Sequence, residues 1–248
     1  DPAIGAQLLV QTARSWKKLG KDERAVSCFR LALERDPAHP QALNGLIELF
    51  KEQGKWEEWI EYTERLLGTI EKPETALDIH FEVARVWKEE LKDLKRADEK
   101  YRGILLLDPG NAQACAALEE IYTIQERWED LVYILTLNTR NLQGTKEGAE
   151  LYSRIGTIYL SKLNMTREAR EACETALSSD PVYRPPFEML ESIHTSNLDW
   201  AELCSLYERR ARALGSGEEA ANLYVSRAGI FDKNLDMKEE ALSSYKMA

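Results

Sequence analysis

The dipeptide Asp-Pro recurs at a fixed interval in this chain. Asp36-Pro37, Asp108-Pro109 and Asp180-Pro181 follow one another at a constant spacing of 72 in the numbering, and each comes after an apolar run with helical spacing. Proline lacks an N–H and forces the preceding residue out of the α conformation, so each dipeptide predicts the end of a helix. A constant spacing of helix ends is typical of a fold built from tandem copies of one unit, and we call this spacing the period.

Other residues keep the same period. Trp56, Trp128 and Trp200 form one row, and Ala25, Ala97, Ala169 and Ala241 form another. Within a period the apolar residues follow helical spacing, with a break at about every fourth or fifth helical turn. Each period therefore predicts four helices, arranged as two helical hairpins of about 36 residues.

A single hairpin cannot bury its apolar face, but stacked hairpins share a continuous core. We therefore expect an all-α solenoid of antiparallel helix pairs, forming one domain over residues 1–248. The expected hairpins, about six and a half in number, are 5–37, 40–72, 74–109, 111–145, 147–181, 183–216 and 217–248. Asp1-Pro2 looks like the closing step of an earlier hairpin, so the chain is expected to be a fragment of a longer array.

The pattern resembles the tetratricopeptide repeat, in which small residues and aromatic residues alternate at set offsets. The matching residues are Ala13, Trp16, Gly20, Ala25, Phe29, Ala32 and Pro37 in the first hairpin, Ala84, Trp87, Ala97, Tyr101 and Pro109 in the third, and Gly156, Tyr159, Ala169, Ala176 and Pro181 in the fifth. The resemblance implies a right-handed superhelix. Pentatricopeptide and HAT repeats are rival interpretations.

The even-numbered hairpins depart from this pattern. Trp59, Leu131 and Leu203 stand where helix B of the family carries a small residue. The four tryptophans Trp56, Trp59, Trp128 and Trp200 are expected to lie mostly in the core. If they were instead exposed together, they would indicate a permanent interface.

Composition and charge argue against several partners. The 33 Lys and Arg against 43 Asp and Glu give a net charge of −10, with no basic cluster of the kind that neutralises phosphates. We therefore expect no nucleic-acid partner. No apolar run approaches the roughly 20 residues of a membrane span. The four cysteines are scattered singly, which favours a reducing compartment and a cytoplasmic location.

No catalytic signature is found in the sequence. His39, His80 and His194 have no partner at metal-ligand spacing, and no phosphate-binding loop or nucleophile motif is present. The sequence predicts a non-enzymatic chain with no catalytic, cofactor or metal site.

The candidate site is instead a concave groove, which the resemblance places along one face of the first helix of each hairpin. The residues expected to line it are Arg14, Lys17, Asn44, Glu48, Lys51, Arg85, Lys88, Glu120 and Arg154. Six of these nine are basic, although the chain is acidic. Asn can bond a peptide backbone, and Arg or Lys can pair with carboxylates. The expected ligand is an extended peptide, acidic or carboxyl-terminal.

Three functional hypotheses follow. The first is a protein–protein interaction scaffold that binds a partner segment in this groove. The second is a structural subunit that stacks on copies of itself or on other subunits of a complex. The third is a regulatory or docking arm of an enzyme whose catalytic domain lies outside this chain.

Overall fold

The computed structural model describes residues 2–70, 72–140 and 142–248, and every regular element in these residues is an α-helix. The described residues form fourteen helices: α1 (Pro2–Lys18), α2 (Asp22–Arg35), α3 (Pro40–Glu52), α4 (Trp56–Leu67), α5 (Pro73–Glu89), α6 (Leu94–Leu107), α7 (Ala112–Ile124), α8 (Trp128–Thr139), α9 (Lys146–Ser161), α10 (Thr166–Ser179), α11 (Arg184–Asn197), α12 (Trp200–Leu214), α13 (Glu218–Lys233) and α14 (Lys238–Met247). Odd-numbered helices are called A helices and even-numbered helices B helices.

The Asp-Pro steps end helices as predicted. Asp36, Asp108 and Asp180 follow α2, α6 and α10, with φ angles of −139°, −136° and −138° in the extended region. Each of these residues still donates its N–H to the carbonyl four residues earlier, which closes the last turn. The proline therefore stops the helix without leaving that amide unpaired.

The turn from each A helix to its B helix contains one residue in the left-handed conformation. Gly20 and Gly54 hold this position in the first two hairpins, with φ angles of 67° and 65°. Residues with side chains hold it in the other hairpins: Lys92, Glu126, Asn164, Leu198 and Asp236. Glycine can therefore hold this position without strain, but the turn does not require it.

The chain divides into two compact units, residues 1–118 and 119–248. In the first unit α1 packs on α2, α3 on α4 and α5 on α6. Small residues such as Ala13, Ala25 and Ala32 are fully buried where helices approach closely, and Phe29 fills the space beside them.

In the second unit α9 packs on α10, and α13 packs on both α12 and α14. Its main core contains Cys173, Leu177, Phe187, Leu190, Leu203, Leu206 and Tyr207. The predicted all-α fold of antiparallel helix pairs is thus confirmed within each unit. A single continuous right-handed solenoid over residues 1–248 stays a prediction. Asp1, Glu71 and Asn141 belong to that predicted domain but lie outside the described residues, so the Asp1-Pro2 step is not described as a whole.

The four tryptophans are less uniformly buried than expected. Trp59 is 2% exposed, but Trp56, Trp128 and Trp200 are each half-buried. These three residues begin α4, α8 and α12. None of the four is fully exposed.

Candidate functional site: the A-helix face

Seven of the nine predicted groove residues lie on A helices of the first unit. Arg14 and Lys17 are on α1, Asn44, Glu48 and Lys51 are on α3, and Arg85 and Lys88 are on α5. We call the surface formed by these seven residues the A-helix face. Residues three or four apart share one side of a helix. On α3 this side is exposed, whereas Ala42, Leu43, Leu46, Leu49 and Phe50 are buried on the opposite side.

Lys17 holds neighbouring A helices together. Its Nζ lies 3.1 Å from carboxylate oxygens of both Glu48 and Glu52, so one ammonium joins α1 to α3. Burial alone would lower the pKa of Lys17, but the hydrogen bonds to Glu52 and Glu48 outweigh it and raise the pKa. Two of the predicted groove residues, Lys17 and Glu48, therefore neutralise each other.

Lys51 occupies the corresponding place between α3 and α5. Its Nζ lies 3.9 Å from Glu82 and 5.9 Å from the centre of the Trp59 ring. The ion pair is long, and both side chains are about half exposed. Such a pair contributes little to stability, so Lys51 can exchange Glu82 for another carboxylate at small cost.

Three polar side chains of the A-helix face remain available. Arg14, Asn44 and Arg85 are exposed, and none forms a hydrogen bond or ion pair within the described part of the chain. Lys88 is half-buried and already engaged with neighbouring groups. The face therefore offers two unneutralised guanidinium groups and one amide to a ligand.

A cleft of about 150 Å³ opens beside Arg85, between α3, α4 and α5. It is lined by Lys51, Trp56, Trp59, Glu82, Arg85, Val86, Glu89 and Glu90. The two indole rings meet edge to face, with their centres 6.3 Å apart. An apolar floor with charged groups at the rim suits a side chain that is apolar along its stem and charged at its end.

Lys51 and Arg85, two of the residues predicted to line the groove, also line this cleft. From the sequence, Trp56 and Trp59 are expected to lie mostly in the core, and no cleft is predicted beside them. The sequence signal for a difference at this place is Trp59 itself, a large residue where the family carries a small one at the start of helix B.

The two predicted residues of the second unit are both engaged. Arg154 on α9 forms an ion pair with Glu119, and Glu120 on α7 also interacts with its surroundings. The charge of Arg154 is thus already paired within the chain. The candidate site is therefore the A-helix face of the first unit.

Buried titratable groups of the second unit are poorly suited to catalysis. Burial raises the pKa of the Cys173 thiol to about 12 and that of Cys204 to about 11, so both stay protonated at neutral pH. His194 is buried, with Nδ1 3.5 Å from an Asp199 carboxylate that also accepts a hydrogen bond from Arg170. Among the described residues, no group of three or more His, Cys, Asp or Glu side chains is placed to hold a metal ion. No helix in those residues has the length and hydropathy that crossing a membrane requires.

The stacked A and B helices define a helical-repeat protein. Two segments, residues 6–39 and 149–183, match the tetratricopeptide repeat family. The first segment covers α1 and α2, and the second covers α9 and α10. These two hairpins thus match the tetratricopeptide repeat, the family that the sequence pattern resembles.

Several solved structures are similar to this chain at low identity. PilF of Pseudomonas aeruginosa is 17% identical, with 99% of this chain and 97% of that chain covered and a TM-score of 0.37. A tetratricopeptide repeat protein from Parabacteroides merdae is 17% identical, with 98% and 91% covered and a TM-score of 0.39. YrrB, described as a tetratricopeptide repeat protein with an unusual peptide-binding site, is 16% identical, with 74% and 90% covered and a TM-score of 0.37. No curated protein matches the sequence.

Proposed function

We propose that this chain is a protein–protein interaction scaffold whose A-helix face binds an extended, carboxylate-bearing segment of another protein. The observation that carries the proposal is Arg85, an exposed guanidinium with no carboxylate partner among the described residues, at the rim of a cleft with a tryptophan floor. Most other charged groups of the face are already paired. Arg85 can therefore form a new ion pair with a ligand carboxylate without breaking an existing one.

The residues of the A-helix face fall into two groups: those that already pair with each other, and those that are free to contact a ligand. Lys17 and Glu48 pair with each other across α1 and α3. Asn44 lies on the same exposed side of α3 and can donate and accept hydrogen bonds with a peptide backbone. A segment that crosses Asn44 and places a carboxylate at Arg85 would use both without breaking the ion pairs of Lys17.

The experiment is site-specific photo-crosslinking in cell lysate. A photoreactive amino acid replaces Asn44 in one sample and Lys95 in the control, because Lys95 is an exposed cation on the B helix α6. The proposal predicts a discrete protein segment crosslinked from position 44, absent from position 95, and lost when Arg85→Glu is added. Equal crosslinking from both positions would contradict it.

A second candidate function, stacking on another helical hairpin, is supported by exposed apolar side chains at the last B helix. Tyr245 on α14 is 50% exposed, whereas the residues one, two and three periods earlier, Cys173, Tyr101 and Phe29, are all at most 5% exposed. Phe29 and Cys173 each contact the next A helix, at Gly45 and Met189. If this surface mediates self-assembly, sedimentation equilibrium should show association of the chain that Tyr245→Glu removes.

A further inference from the structure

Two clefts on the B helices occupy equivalent positions, one in each unit. The cleft of the first unit has a volume of about 240 Å³ and that of the second about 380 Å³. Four lining positions correspond between the two clefts, each pair separated by two periods: Leu33 with Leu177, Glu34 with Ser178, Tyr62 with Leu206, and Arg65 with Arg209. The cleft thus recurs at the same register after two periods.

In the second unit the arginine of this cleft already holds a carboxylate. Arg209 donates from both terminal nitrogens to the two carboxylate oxygens of Glu174, at 2.7 and 2.8 Å. This is the parallel, bidentate geometry that fits a guanidinium to a carboxylate. The pair joins the B helices α10 and α12.

In the first unit the carboxylate is missing from the same position. The residue two periods before Glu174 is Arg30, so a second guanidinium stands where the cleft of the other unit has its acid. Arg30 donates from Nε to the Tyr62 hydroxyl at 3.2 Å, and Arg65 donates to the carbonyl of Pro37 at 3.3 Å. Neither arginine has an ion pair within the described residues. Glu34 also lines the cleft but pairs with neither.

The local chemistry therefore favours an anion. Tyr62, which is 5% exposed, lies between two positive charges: Arg30 donates to its hydroxyl, and the Arg65 guanidinium lies over its ring at 5.4 Å. The Tyr62 hydroxyl accepts from Arg30, so its own proton is available to a further acceptor. Leu33 gives the cleft an apolar wall, which suits the aliphatic part of a side chain or chain end that carries the charge.

We propose that Arg30, Tyr62 and Arg65 form a binding site for a carboxylate of a partner protein, with Glu174 on Arg209 showing how that carboxylate is held. The site lies on the B helices and is separate from the A-helix face. A bound carboxylate accepts from Arg65 in the bidentate manner, and Arg30 neutralises its remaining charge. This inference does not depend on the function proposed for the A-helix face.

Single substitutions can add an internal carboxylate to the cleft of the first unit or remove it from the cleft of the second. Arg30→Glu supplies Arg65 with an internal carboxylate, as Glu174 does for Arg209, and should close the site. Glu174→Arg removes the internal carboxylate from Arg209 and should open a second site. Lys95→Glu changes the charge of the chain as Arg30→Glu does and serves as the control. Arg65→Gln tests the same site with a smaller change of charge.

The experiment is a titration of the full chain followed by the NMR signals of the arginine Nε–H groups. The probes are three short peptides: acetyl-Gly-Leu-Glu-Leu-Gly-amide, its Gln counterpart, and acetyl-Gly-Leu-Leu with a free carboxyl terminus. The first and third distinguish a side-chain carboxylate from a terminal one. Helical circular dichroism of each variant establishes that it is folded.

The proposal predicts that at least one carboxylate peptide shifts the signals of Arg30 and Arg65 and that the Gln peptide does not. Arg30→Glu and Arg65→Gln should weaken this binding about tenfold or more, Lys95→Glu should leave it unchanged, and Glu174→Arg should add shifts at Arg209. Binding that survives Arg30→Glu, or no shift from any carboxylate peptide, would overturn the proposal.

Discussion

The ring of Phe29 occupies the space beside Gly45: a Cβ atom on residue 45 would stand 2.3 Å from Cζ of Phe29. Phe29 belongs to the B helix of one hairpin and Gly45 to the A helix of the next. At the equivalent positions two periods later, a small Cys173 faces a large Met189, with their sulfurs 3.3 Å apart. The larger side chain of this contact is therefore on the B helix at Phe29 and on the A helix at Met189.

The first prediction concerns this junction. Gly45→Ala should lower the free energy of unfolding by about 1–3 kcal/mol, because the new methyl group overlaps the Phe29 ring. Phe29→Leu loses apolar contact by itself but should make Gly45→Ala less costly. Urea unfolding of the two single variants and the double variant gives the coupling. Additive effects would show that the two residues do not compete for the same space.

The second prediction concerns the left-handed turn residue Leu198. Its φ angle is 62° and its side chain is 64% exposed, so the side chain adds strain and little packing. Leu198→Gly should raise the free energy of unfolding by about 0.5–1 kcal/mol, after the greater freedom of glycine in the unfolded chain is included.

Gly20 provides the matched opposite change. Its φ angle is 67°, and a Cβ there would contact nothing within 4 Å, so Gly20→Ala tests backbone strain alone. It should lower the melting temperature, whereas Leu198→Gly should raise it. Shifts of the same sign in both variants would contradict the explanation.

The third prediction concerns alkaline pH. Burial raises the pKa of Cys173 from 9.0 to about 12, so the unfolded chain loses this proton at a lower pH than the folded chain. The stability of the folded state is unaffected by this group below pH 9. Between pH 9 and pH 12 its contribution to the free energy of unfolding should fall by about 1.4 kcal/mol per pH unit.

Denaturant unfolding across this pH range can isolate the effect of Cys173. Cys173→Ala should reduce the slope of unfolding free energy against pH, whereas Cys28→Ala, at a half-buried position, should leave more of the slope in place. Buried Cys204 and Tyr207, whose pKa values are also raised, keep part of the slope in every variant. An unchanged slope in Cys173→Ala would show that its ionisation is not linked to unfolding.

The helix ends could be predicted from local sequence because their causes are local. Proline restricts the residue before it, and Asp36, Asp108 and Asp180 accordingly adopt one conformation at three separate places. Glycine identified the turns at Gly20 and Gly54. Leu198 holds the same turn with no residue-type signal, and only its position in the register of the repeat could have revealed it.

The candidate site was harder to predict because it depends on distances between helices. The sequence identified Lys17 and Glu48 as exposed polar residues, but it could not show that they neutralise each other across two A helices. It also could not show that Trp59 would form the floor of a cleft beside Arg85. Packing between hairpins determines which charged groups remain unpaired and can bind a ligand. The sequence pattern describes each hairpin separately, so it does not contain this information.

The most direct test of the proposed function is the affinity of the segment identified by crosslinking, measured by isothermal titration calorimetry. The wild-type chain, Arg85→Glu and the control Lys95→Glu are compared at about 50 mM and about 500 mM salt, because added salt screens exposed charges. We expect Arg85→Glu to weaken binding about tenfold or more at low salt, Lys95→Glu to have little effect, and high salt to reduce the difference. Equal affinities for all three chains at both salt concentrations would contradict binding through Arg85 on the A-helix face.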